Sequence, residues 1–124
     1  MSIILNLFSK KQFSIFLLVV LFILSSVSLF SHPASDLEAE FDHETKILDI
    51  HFDHSVGNTE SHFIEEVIID VNEQTVITHN ISNQEKKTGG RLIYKIPDVL
   101  AGDIVRIKVN CNRIGSKEIK WTIK

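Results

Sequence analysis

From residue 37 onward, apolar and polar residues alternate in short runs. LEAEF (37–41) alternates apolar and acidic side chains, and ILDIHFD (47–53) places Leu48, Ile50 and Phe52 on one face. HFIEEVIIDVN (62–72) is the longest such run, with Val67, Ile69 and Val71 sharing a face. TVITHNIS (75–82) is short and β-branched, and Leu92, Tyr94 and Ile96 alternate in RLIYKI (91–96). DIVRIKVNC (103–111) aligns Val105, Ile107, Val109 and Cys111, and KEIKWTIK (117–124) sets Ile119, Trp121 and Ile123 against charged neighbours. A period of two is the mark of half-buried strands. The links DHET (42–45), NEQ (72–74), KKTGG (86–90) and PDVLAGD (97–103) are rich in turn formers. Seven short strands joined by polar turns predict an all-β fold, a seven-stranded antiparallel immunoglobulin-like sandwich. Phe41, Phe52, Phe63, Tyr94 and Trp121 are core candidates, and no segment past residue 32 predicts a long helix.

The chain begins differently. Lys10 and Lys11 precede the apolar run FSIFLLVVLFILSSVSLF (13–30), and small residues offer cleavage points after Ser28 or Ser31. This is the signal-peptide pattern. Residues 1–31 are expected to be a signal peptide, or an N-terminal membrane anchor if uncleaved. Residues 32–124 form one exported domain, periplasmic or extracellular. The formal net charge of the whole chain is −3, and the leading segment removes two lysines and no acid. The domain therefore has no basic patch of the size nucleic acid requires. Asn80-Ile81-Ser82 matches a glycosylation sequon, relevant only in a eukaryotic secretory pathway.

Export changes how the single cysteine reads. Exported chains usually pair their thiols, yet Cys111 has no partner within this sequence. It is a buried inert thiol, an intermolecular bridge or a metal ligand. The six histidines all lie at or beyond position 32. His43 falls in a polar turn and His79 in a short strand, and both read as structural or solvated. His51 faces away from Leu48, Ile50 and Phe52 and is expected to be exposed. His32, His54 and His62 remain as candidate ligands. His54 ends one strand and His62 starts the next, so both imidazoles stand at the mouth of one loop. Cys111 ends a later strand, and strand ends gather at one pole of a sandwich. Imidazoles with a thiolate suit iron, copper or zinc rather than calcium or magnesium.

HSVGNTESHFIEEVIIDVN, a Gly-Asp turn, and VNCNRIG together resemble the iron-binding domain of the desulfoferrodoxin and neelaredoxin superoxide reductases. The resemblance runs in order through nearly all of residues 32–124. Its specific part is His54, His62-Phe63-Ile64, Gly102-Asp103, and Cys111-Asn112 with Gly115. It implies the same immunoglobulin-like fold and a mononuclear iron with His54 and His62 in the equatorial plane. Cys111 would be the axial thiolate, and His32-Pro33 would supply the first histidine. It implies superoxide as substrate, peroxide as product and an external electron donor as partner. The sequence departs from the family pattern at three places. Ile114 occupies the position of a histidine ligand, the loop between His54 and His62 is longer, and a lysine that attracts the anion is missing. Two other readings stay open. His54, His62 and Cys111 satisfy the two-His, one-Cys set of a copper site, with His32 as a copper-chelating N-terminus after cleavage at Ser31. A non-catalytic binding or carrier module would instead leave Cys111 as an inert core thiol.

Overall fold

Each alternating run forms a strand. The computed structural model describes residues 32–124 together with Gln12, Ser14 and Ile15. The segment read as a signal or anchor lies outside the described residues. The strands are β1 Asp36–Asp42, β2 Ile47–Asp53, β3 Ile64–Val71, β4 Gln74–Asn80, β5 Gly89–Lys95, β6 Ile104–Cys111 and β7 Ser116–Thr122. They pair antiparallel in two sheets, β1-β2-β5 and β4-β3-β6-β7. The predicted seven-stranded all-β sandwich is the observed fold. β4 lies beside β3, on the edge of the larger sheet.

The inward faces meet the expected pattern. Leu48, Ile50 and Phe52 from β2 bury against Val67 and Ile69 from β3 and Val105, Ile107 and Val109 from β6 in one core cluster. Phe41, Tyr94 and Trp121 are half-buried and pack at its margin. The turns follow from local chemistry. Asn72 and Glu73 both adopt positive φ (51° and 69°) between the paired Val71 and Gln74. This is a two-residue hairpin loop with both central residues left-handed, whose twist matches that of the flanking strands. At the β1–β2 link, the Asp42 carboxylate accepts hydrogen bonds from the Glu44 and Thr45 amides.

β3 breaks its own period, and the break bears on the site. Ile64, Val67 and Ile69 are all buried, but the step from 64 to 67 is three residues. The β3–β6 register shifts between Ile64 and Glu66, so Glu65 is an extra, bulged residue. Without the bulge, Ile64 would point outward with Glu66 and Ile68. The bulge turns Ile64, and His62 two residues before it, toward the interior.

Candidate metal centre

Three strand ends meet at one pole. His54 continues the inward series Leu48, Ile50, Phe52 by one more period-two step and is fully buried. His62 precedes β3 by two residues and is 7% exposed. Cys111 closes the inward series of β6, pairs across the sheet with Ile64 and is 5% exposed. The ligand atoms of His54, His62 and Cys111 all lie within 4.8 Å of one another. His62 Nε2 stands 3.2 Å from Cys111 Sγ. The His54 and His62 ring centroids are 4.8 Å apart and nearly perpendicular, at 89°. Three residues distant in sequence are thus close enough to bind one metal ion.

Backbone ties hold each piece in place. The His54 and Val56 amides donate to the Thr88 and Lys87 carbonyls. The loop to His62 is closed by the His62 amide donating to Asn58 O at 3.0 Å, and by the Gln84 amide donating to Thr59 O. Asn112 clamps the thiol turn to this loop. Its Oδ1 accepts from the Phe63 amide, its Nδ2 donates to Ser61 O, and its own amide donates to Phe63 O. The Cys111 amide donates to Gly115 O and closes the turn.

Hydrogen-bond chemistry around Gln84 assigns the protons of His54. Gln84 Nε2 lies 2.7 Å from His54 O and 2.7 Å from Lys86 O, and both of these groups can only accept. The amide nitrogen must face them, which leaves Oε1 facing His54 Nδ1 at 2.7 Å. Nδ1 therefore carries the proton and donates. In the neutral ring Nε2 then presents a lone pair, and its neighbour at 3.2 Å is another acceptor, His32 O. Such a contact is satisfied by a second proton on the ring or by a cation beside the two atoms. Burial lowers the His62 pKa, helped by the charges of His54, Arg113 and His32, so its imidazole stays neutral further into the acid range. Neutral imidazole is the metal-binding form.

The other candidates fall into order around this trio. The His32 ring stands 5.3 Å from His54 and 5.5 Å from His62 between centroids. It is exposed, at the rim, and its ring nitrogens do not join the converging donors. Pro33 beside it is wedged against Gly115, where an added Cβ would meet Pro33 Cδ at 2.9 Å. Gly115 has φ of 106°, so the absence of a side chain serves both the turn and this contact. Ile114 is 70% exposed on the same turn. His51 is exposed beside Asp49, His43 is exposed against the Phe41 ring, and His79 is exposed with Nδ1 2.8 Å from the Tyr94 hydroxyl. Gln84 escaped the sequence reading, since a glutamine inside the polar stretch ISNQE carries no signal of burial.

Fold and cluster together define a β-sandwich with a buried two-imidazole, one-thiol donor set able to accept a metal. No family model, no curated protein and no solved structure matches the chain.

Proposed function

We propose that this protein is an exported mononuclear iron protein that reduces superoxide to peroxide. The observation that carries the reading is the convergence of three buried donor atoms, from His54, His62 and Cys111, within 4.8 Å of one another. The donor chemistry fits the metal. Two neutral imidazoles and a thiolate make a borderline-soft set, and Nδ1–H of His54 is already committed to Gln84, leaving Nε2 for the ion. His54 and His62 would hold the metal from the end of β2 and the β3 entry, Cys111 from the end of β6. His32 stands at the open rim as a third imidazole.

When bound, ferrous iron would supply the one electron that, with two protons from water, takes superoxide to hydrogen peroxide. An external donor would return the electron. The protein's own share is to bury the Cys111 sulfur away from oxidants and partner thiols, favour the neutral imidazole of His62 by burial, and leave one side open at His32. The resemblance to the superoxide reductases supports this activity, and the replacement of a histidine ligand by Ile114 makes the set smaller than theirs.

The test is direct. Protein purified without tags or added metal should contain iron or take up Fe(II) stoichiometrically, and its oxidised form should show thiolate-to-iron charge-transfer absorption. That band must vanish in Cys111→Ser; a band that survives sinks the assignment. Iron-loaded protein that leaves superoxide untouched sinks the activity. A second reading, a copper centre, is favoured by one specific feature. The close donors number three, two histidines and one cysteine, with the His32 carbonyl beside them. This is the trigonal set of blue-copper sites. Copper rather than iron in the purified protein, with an intense thiolate-to-copper band, would select it.

A further inference from the structure

We propose that Gln84 is a positioning residue that holds His54 as its Nδ1–H tautomer and so aims Nε2 at the metal position. The inference rests on the metal reading for its purpose and on the hydrogen-bond geometry for its content. Gln84 is 4% exposed, in the link that follows β4, and 30 residues from His54 in sequence. A buried primary amide is costly unless its donors and acceptor are all used. Here they are. Both Nε2 hydrogens go to carbonyls that can only accept, His54 O and Lys86 O. Flipping the amide would bring three oxygens together at 2.7 Å, so the orientation is fixed by its surroundings rather than by choice. The remaining atom, Oε1, has a single partner, His54 Nδ1.

Gln84 therefore grips His54 twice, by backbone carbonyl and by ring. The double grip sets both the ring's proton and its direction. A solvent-exposed neutral imidazole carries its proton mainly on Nε2, the atom that must be bare to bind an ion here. The bond to Gln84 reverses that preference before any metal arrives. The backbone of the same residue also donates to Thr59 O, within the loop that delivers His62. One residue thus orients one ligand and braces the loop of the other. Partners of this kind are worth about 10- to 100-fold in metal affinity.

The experiment reads the tautomer in metal-free protein by long-range ¹⁵N–¹H correlation of the imidazoles, then measures Fe(II) affinity. Wild type should show His54 protonated at Nδ1. Gln84→Met, which keeps volume and apolar contact but accepts no such bond, should move the proton to Nε2. It should also weaken Fe(II) binding by about 10- to 100-fold. Gln84→Asn is too short to span the same gap and should behave like Gln84→Met. A wild-type His54 protonated at Nε2 overturns the proposal outright, and needs no variant to fold. An unmoved tautomer in a folded Gln84→Met overturns it as well, as does unchanged Fe(II) affinity after the proton has moved. Since the tautomer is read without metal, failure of wild type to bind Fe(II) counts against the function proposed above and not against this assignment.

Discussion

On the outer face of the larger sheet, Asp70 is 4% exposed yet chemically at rest. It accepts hydrogen bonds from the Thr75 hydroxyl and the Arg106 guanidinium, and Arg106 reaches onward to Glu118. Every donor there faces an acceptor. At the His54–His62–Cys111 pole, burial is as deep but the pairing is of another kind. His54 Nε2 faces a carbonyl, and His62 Nε2 faces sulfur. The contrast separates two uses of a buried polar group in one small sandwich. Asp70 is closed by its own neighbours and contributes to the fold. The polar end brings two ring nitrogens and a sulfur together, a donor set that a cation can join by displacing the proton shared between His62 Nε2 and Cys111 Sγ.

Removing the thiol should produce the largest effect. Cys111→Ser is expected to lower Fe(II) affinity by more than the roughly 100-fold upper figure for an outer partner, while metal-free stability changes little. Comparing chemical denaturation with and without Fe(II) checks this. Equal loss of stability in the absence of metal would mean that Cys111 is a packing residue, and the contrast with Asp70 would collapse.

Asp70→Asn should do the opposite. It exchanges a charge-assisted pair for a neutral amide whose nitrogen opposes Arg106, at a cost of about 2 kcal/mol in folding. Fe(II) affinity should be unchanged, because Asp70 pairs near the far end of β3 from His62. A drop in affinity matching that in stability would show that the two regions are coupled. Gly115→Ala should have a smaller effect, about 1–2 kcal/mol, from a side chain at φ of 106° pressed on Pro33. Its signature is local. The His32 ring should lose its contacts with His54 and His62, visible as shifted imidazole resonances, while the inner three donors stay together.

How far these regions could be read from sequence depends on what each requires of its residues. Strands obey a local rule, so LEAEF, ILDIHFD and DIVRIKVNC disclosed both position and inward face. The meeting of His54, His62 and Cys111 followed from the rule that strand ends share a pole. Less legible was the Glu65 bulge, which orients His62. Its trace is the three-residue step from Ile64 to Val67, which looks like ordinary apolar density within HFIEEVIIDVN. Gln84 was invisible, because what buries it is a set of backbone carbonyls that no residue type encodes. Likewise the Asp70–Arg106 pair joins residues that merely alternate with core positions in their own strands.

Acidity offers the finest separation of the two regions. His62 has its pKa lowered from 6.5, chiefly by burial and then by the charges of His54, Arg113 and His32. The unfolded chain then takes up a proton near 6.5 that the folded chain refuses, so the stability linked to His62 is fully present above 6.5 and declines as pH falls through its lower folded value. Asp70 has its pKa lowered from 3.8, first by the Thr75 hydroxyl and also by Arg106. Its contribution persists above 3.8 and is lost only below it, as the folded carboxylate finally protonates. Metal-free protein titrated by denaturant midpoint should therefore weaken in two separated windows. His62→Gln should flatten the upper one alone, and Asp70→Asn the lower one alone. Fe(II) binding should fall with the upper window, because protons and metal compete for the same imidazole, and should ignore the lower. A single merged transition, or an upper window that Asp70→Asn removes, would show that the open pole and the closed pair are not independent.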